Sequence, residues 1–159
     1  GAGMPVGAYG GRREIMEMVS PVGAVYQAGT LSGNPVAMAA GIAQLTYLKE
    51  HPEVYTKLNK TSDSFFAELQ KIVDESGRGY QVNHICSLGS MFCTTQEVYD
   101  YETAKTSDTK AYADYCNYMQ NHGIYLAPAQ FEAMFISAAH TQEQLAQTLE
   151  TARNYFKNN

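Results

Sequence analysis

The stretch Gln27-Ala28-Gly29-Thr30-Leu31-Ser32-Gly33-Asn34-Pro35 carries the residue types best suited to holding an anion. Glycines let the backbone approach a ligand closely, and free N–H groups beside a threonine hydroxyl can cradle a phosphate. These small and hydroxyl residues lead directly into a helix start, with Asn34 as its cap and Pro35 at the first helical position. The same residues suit an ordinary turn before a helix, and residue type alone leaves both readings open. The spacing fits neither a Walker loop nor a dinucleotide fingerprint.

Glu132 stands in the run Pro128-Ala129-Gln130-Phe131-Glu132-Ala133, where a lone glutamate is by residue type a solvated loop charge. His51, His84, His122 and His140 show no metal-ligand spacing with another His, Cys or carboxylate, so no metal site is expected. His122, ahead of Gly123, suits a contact at a helix C-terminus. His140 precedes a helix cap, where a structural role is expected. Cys86, Cys93 and Cys116 are odd in number and form no C-x-x-C pair. Neither a disulfide framework nor a zinc site follows, and buried free thiols in a reducing cytosol are expected.

Composition narrows the class. Apolar residues make up 45% of the 159, enough for a packed core. The net charge is −5 and the 11 Lys and Arg are scattered, so no basic stripe exists to neutralise a nucleic-acid backbone. No apolar run approaches the roughly 18 residues of a membrane span. Residues 1–11 have no charged segment before an apolar stretch, so no secretory signal is expected; the opening reads as the middle of a longer chain.

The elements that must position these groups follow from periodicity. Residues 4–9 suggest a short strand and residues 12–19 a short helix stopped by Pro21. From Asn34, Val36, Ala39, Ala40, Ile42, Ala43, Leu45 and Leu48 give a helix with a broad apolar face, broken at His51-Pro52. Val54, Leu58, Phe65, Leu69, Ile72 and Val73 then predict an amphipathic helix of about six turns, ended by Gly77 and Gly79. Residues 80–85 and 90–95 are β-rich runs around Ser87-Leu88-Gly89, an expected antiparallel pair. Residues 97–107 read as a loop. Ser107 or Asp108 caps a helix carrying Ala111, Tyr112, Tyr115, Cys116 and Met119, and Gly123 stops it. Residues 124–126 and 134–137 suggest further strands separated by Pro128. Thr141 with Gln144 is a capping box for a last helix. The order predicts an α+β domain: a small, mostly antiparallel sheet covered by helices.

Three blocks carry a family resemblance. They are Gly3-Met4-Pro5-Val6-Gly7-Ala8-Tyr9-Gly10-Gly11-Arg12 followed by Tyr26 to Pro35, then Gly123-Ile124-Tyr125-Leu126-Ala127-Pro128-Ala129-Gln130-Phe131-Glu132-Ala133, then Ser137-Ala138-Ala139-His140-Thr141. In this order they resemble the glutamate-1-semialdehyde 2,1-aminomutases, a family near the class III aminotransferases among the fold-type I pyridoxal-phosphate (PLP) enzymes. The resemblance implies that residues 1–33 are the end of a large PLP-binding domain and that residues 34–159 are a connecting helix and a small C-terminal α+β domain. It also implies a cytoplasmic homodimer acting on a small-molecule substrate, converting glutamate-1-semialdehyde to 5-aminolevulinate for porphyrin (tetrapyrrole) synthesis. PLP supplies the electron sink for such chemistry.

Residue by residue, the resemblance places Gly29 and Thr30 at the PLP phosphate of the partner subunit and lets Tyr26 face that subunit's site. It places Glu132 at the mouth of the active site in a supporting catalytic role, with Gln130 as a polar neighbour. A partly buried Glu132 would have a raised pKa. The family's cofactor-anchoring lysine, pyridinium carboxylate and substrate-binding arginine lie upstream of the matched blocks. Lys57, Lys60 and Lys71 fall on a solvated helix face, and Lys49, Lys105, Lys110 and Lys157 near helix ends or in polar loop. The chain alone is therefore expected to be inactive and without bound PLP. Met134 departs from the small residue, often Gly, that follows Phe-Glu-Ala in the family. Other class III aminotransferases usually carry an arginine near the last strand, and none occurs in residues 131–141. A stand-alone interaction domain is the alternative from a different class.

Overall fold

A computed structural model describes residues 3–158. The chain divides into two compact units, Gly1–Pro52 and Glu53–Asn159.

The first unit holds a one-turn helix, α1 (Arg13–Met16), and a long one, α2 (Pro35–Glu50). Asn34 caps α2 as expected, its Oδ1 accepting from the N–H groups of Val36 and Ala37 at 3.1 Å each. The strand expected at residues 4–9 is not formed. Pro5 has no N–H to give a ladder, and the segment opens with a tight turn in which Val6 donates to the Met4 carbonyl at 2.8 Å. Burial here is slight. Ala37 and Gly41 are the buried residues of α2, while Ile42 is 66% and Leu45 70% exposed.

The second unit carries the core. Its long helix α3 (Glu53–Glu75) buries Phe65, Phe66, Leu69, Ile72 and Val73, the face the periodicity predicts. Gly77 and Gly79, both at φ +70°, take the chain out of the helix through a conformation that other residues resist. Strands β1 (Gln81–Ile85) and β2 (Leu88–Phe92) pair antiparallel, from Gln81 opposite Phe92 to Ile85 opposite Leu88. The second strand begins earlier than periodicity suggests, because Cys86 and Ser87 alone make the turn, with Cys86 at φ 50°. A third strand, β3 (Met134–Phe135), pairs with Leu88 and Gly89 and completes an antiparallel sheet in the order β1-β2-β3.

Two expectations fail between these elements. Residues 124–126 form no strand, and β3 keeps only two of the four residues expected at 134–137. Within the loop expected at 97–107, α4 (Tyr101–Ala104) forms because Asp100 and Thr103 make a reciprocal capping box. Helix α5 (Thr109–Asn121) is capped by Asp108, and α6 (Gln142–Asn158) follows the predicted Thr141–Gln144 box, with bonds of 2.9 and 3.3 Å. Tyr115, Tyr155 and Phe156 pack with Phe65, Phe66, Met91 and Met119 in one cluster. Arg153 ties α6 to α3 through Glu68 at 2.6 Å and Glu75 at 2.8 Å.

Candidate active site

In the first unit, the turn before α2 has the features of an anion cradle. Ser32 donates to the Gly29 carbonyl at 2.9 Å and Asn34 to the Leu31 carbonyl at 3.0 Å, folding the segment tightly. Gly33 sits at φ +73°, and a Cβ at Gly29 would stand 2.9 Å from Ser32 Oγ. Among the described residues, the N–H groups of Thr30, Leu31 and Gly33 and the Thr30 hydroxyl make no hydrogen bond. They border a hollow of about 390 Å³ lined by Pro5, Val6, Gly7, Gly29 to Gly33 and Met38. Three unused donors and a hydroxyl around a polar hollow fit a phosphate group. Tyr26 is 82% exposed.

In the second unit, Glu132 lies on a loop that several side chains hold down. Tyr112 Oη donates to the Ala127 carbonyl at 2.7 Å, and Cys116 Sγ approaches the same oxygen at 3.6 Å. Gln130 is fixed at both ends, accepting from the Cys93 N–H at 3.2 Å and donating to the Met91 carbonyl at 2.7 Å. Glu132 N–H closes a turn on the Ala129 carbonyl at 3.1 Å. The Glu132 side chain is exposed, so the partial burial considered from the sequence is absent. Gln130 is buried, a structural anchor in this fold. Beside β3, a groove of about 450 Å³ is lined by Tyr125, Leu126, Met134, His140 and Gln144, so the departure at Met134 faces open space.

Burial sets the chemistry of the groups beneath this loop. It pushes the Tyr112 hydroxyl up to about 12, with smaller contributions from Cys116, Cys93 and Glu132. Burial, helped by Asp108, holds the Cys93 thiol at about 12, and Cys116 is raised by burial as well. Neither is a nucleophile near neutral pH. Cys86 is exposed, correcting the expectation that all three thiols are buried: it stands in the two-residue turn between β1 and β2, outside the core cluster. Among the described residues no group of His, Cys, Asp and Glu is arranged to hold a metal ion, and no helix is long and apolar enough to cross a membrane. His122 Nδ1 lies 2.7 Å from the Tyr118 carbonyl in the last turn of α5. The ring nitrogen Nδ1 of His140 accepts from Ser137 N–H at 2.9 Å, a turn-closing bond.

The family model for aminotransferase class-III matches residues 1–154. The chain belongs to the class III aminotransferases. Among curated members, it is 60% identical over 157 residues to glutamate-1-semialdehyde 2,1-aminomutase 1 of Lachnoclostridium phytofermentans, covering 99% of this chain and 37% of that protein. The aminomutase of Alkaliphilus oremlandii is 56% identical over 149 residues, covering 94% of this chain and 34% of the relative. The chain thus spans little more than a third of the class III relatives it matches. Solved structures share the fold. A β-phenylalanine aminotransferase from Variovorax paradoxus superposes with a TM-score of 0.78 at 24% identity, covering 93% of this chain and 34% of that one. An omega-transaminase from Sphaerobacter thermophilus gives 0.72 at 19% identity, covering 94% and 34%. At such identities the likeness concerns the fold alone.

Proposed function

We propose that this chain is part of a longer PLP-dependent glutamate-1-semialdehyde 2,1-aminomutase, the enzyme that moves an amino group between neighbouring carbons to make 5-aminolevulinate. The observation that carries the reading is the 60% identity over 99% of the chain to an aminomutase of that name. Residues 1–33 belong in this reading to the large cofactor-binding domain, and residues 34–159 to the connecting helix and small domain.

The surface of the first unit supports it. A helix apolar on nearly all sides is normally enclosed. In α2, Val36, Ile42, Leu45 and Tyr47 are exposed, as are Tyr9, Met18, Val22 and Tyr26 earlier in the unit. The rest of the enzyme and a second subunit of a cytoplasmic homodimer cover them. When bound, PLP supplies an electron sink. This chain's part is to bind and orient: Gly29 and Thr30 present N–H groups and a hydroxyl to the phosphate held by the partner subunit, and Tyr26 faces the same site. Glu132 holds a carboxylate at the site mouth, where it orients the substrate amine or a proton. The lysine that anchors the cofactor comes from elsewhere in the longer protein, so residues 1–159 alone are inactive.

The test is to supply the longer protein with glutamate-1-semialdehyde and PLP. 5-Aminolevulinate should form without any external 2-oxo acid. A protein that makes none, yet transfers amino groups to an external 2-oxo acid, is instead another class III aminotransferase.

A further inference from the structure

The sheet of the second unit is closed at both edges by glutamine side chains, and one of them ties down the loop that carries Glu132. Val82 donates its N–H to Gln70 Oε1 at 2.7 Å, and Gln70 Nε2 donates to the Tyr80 carbonyl at 3.3 Å. The peptide groups of Val82 thus point away from β2. In an antiparallel pair, residues opposite one another turn their peptide groups the same way relative to the ladder. Met91, opposite Val82, therefore faces away from β1, toward the side of β3. β3 reaches only Leu88 and Gly89. The open rungs beyond it are taken by Gln130, which donates to the Met91 carbonyl and accepts from the Cys93 N–H. The orientation of the amide is fixed by chemistry: a carbonyl can face only its NH2 and an N–H only its oxygen.

We propose that Gln130 is a positioning residue: its amide replaces a strand on the open edge of β2 and thereby sets the place of the Ala129–Glu132 turn. Gln130 is 3% exposed, so water cannot substitute for either bond. Two residues on, Glu132 N–H bonds the Ala129 carbonyl, and Ser90 Oγ on β2 lies 3.4 Å from the Glu132 carbonyl. The backbone around Glu132 is thus held to β2 on both sides, by Gln130 ahead of it and by Met134 of β3 after it, and Gln130 alone fixes the Ala129 end of the turn. Relevance to the reaction rests on Glu132 belonging to the active site, as proposed above.

The experiment compares three variants of the longer protein. Gln130→Met keeps the length and volume of the side chain but removes both bonds. Hydrogen exchange at the Cys93 amide and across residues 129–133 is expected to speed up roughly tenfold or more. Activity should fall through kcat, and the double variant with Glu132→Gln should be no worse than Glu132→Gln alone. Gln130→Glu supplies a readout that survives poor folding of the Met variant. Protonated, it restores the donor to Met91; ionised, it sets a carboxylate against that carbonyl. Its turn should be protected at acid pH and loosen as pH rises, while the wild type shows no such trend. Unchanged exchange in Gln130→Met, or protection in Gln130→Glu that ignores pH, overturns the clamp. Loosening of the turn in Gln130→Met, with Glu132→Gln fully active, upholds the clamp and removes Glu132 from the site.

Discussion

Tyr112 on α5 and Ala127 on the loop ahead of Glu132 are joined by a 2.7 Å hydrogen bond from a buried phenol to a backbone carbonyl. Tyr112→Phe keeps the ring and removes the donor. The Ala127 carbonyl is left with only the weak Cys116 thiol at 3.6 Å. A half-buried acceptor that loses its protein partner can still be reached by water, so the cost is about 0.5–1.5 kcal/mol. Urea unfolding should show a loss of that size, with hydrogen exchange in residues 124–130 accelerating. A variant as stable as the wild type would show that the bond carries no net weight.

Gly89 on β2 lies against the ring of Phe66, which a Cβ at that position would overlap. Phe66 is fully buried and stacks on His84 at 5.0 Å, so the ring has little room to retreat. Gly89→Ala should destabilise the protein by about 1–3 kcal/mol through overpacking. Thermal unfolding measures it, and a simultaneous Phe66→Leu exchange should recover part of the loss.

Alkaline pH should weaken the second unit. The Cys93 thiol, 9.0 in an exposed setting, stands at about 12 in the fold. A raised folded-state pKa means the unfolded chain gives up the proton first. The stabilisation is thus complete below about pH 9 and is lost as pH climbs from there toward 12. Tyr112, raised from 10.0 to about 12 by burial, adds a loss of the same sign. Cys93→Ala should make the alkaline limb of a stability–pH profile shallower; an unchanged limb would show that Cys93 does not titrate there.

Helices and caps were legible in the sequence because their signals are local. The Asn34 cap, the Thr141–Gln144 box and the stops at Gly77, Gly79 and Gly123 all lie within a few residues of what they control. The strand pair β1–β2 was legible for the same reason. The edge of β2 was not, since a glutamine 37 residues away takes the rungs that the two-residue β3 leaves open. Nothing in the type of Gln130 says that its amide will imitate a peptide. The exposure of Glu132 and the burial of Gln130 depend likewise on which way the 127–133 loop is pulled, and that is set by Tyr112 and β2. The free N–H groups of Thr30, Leu31 and Gly33 were suggested by the residue types, and their common hollow needed the fold of residues 5–7.

Residues 1–159 mixed with PLP and borohydride should show no lysine labelled stoichiometrically. Lys57, Lys60, Lys105, Lys110 and Lys157 all stand on exposed surface, where solvent reaches each of them. Peptide mapping reads the outcome, and complete modification of one lysine would show that the chain anchors the cofactor itself.

The affinity of the longer protein for PLP, with Thr30 intact and as Thr30→Ala, bears most directly on the role given to this chain. A hydrogen bond to a charged group contributes about 1.5–3 kcal/mol, so losing the hydroxyl should raise the dissociation constant by roughly 10- to 100-fold. Identical affinities would mean that the turn before α2 does not hold the phosphate.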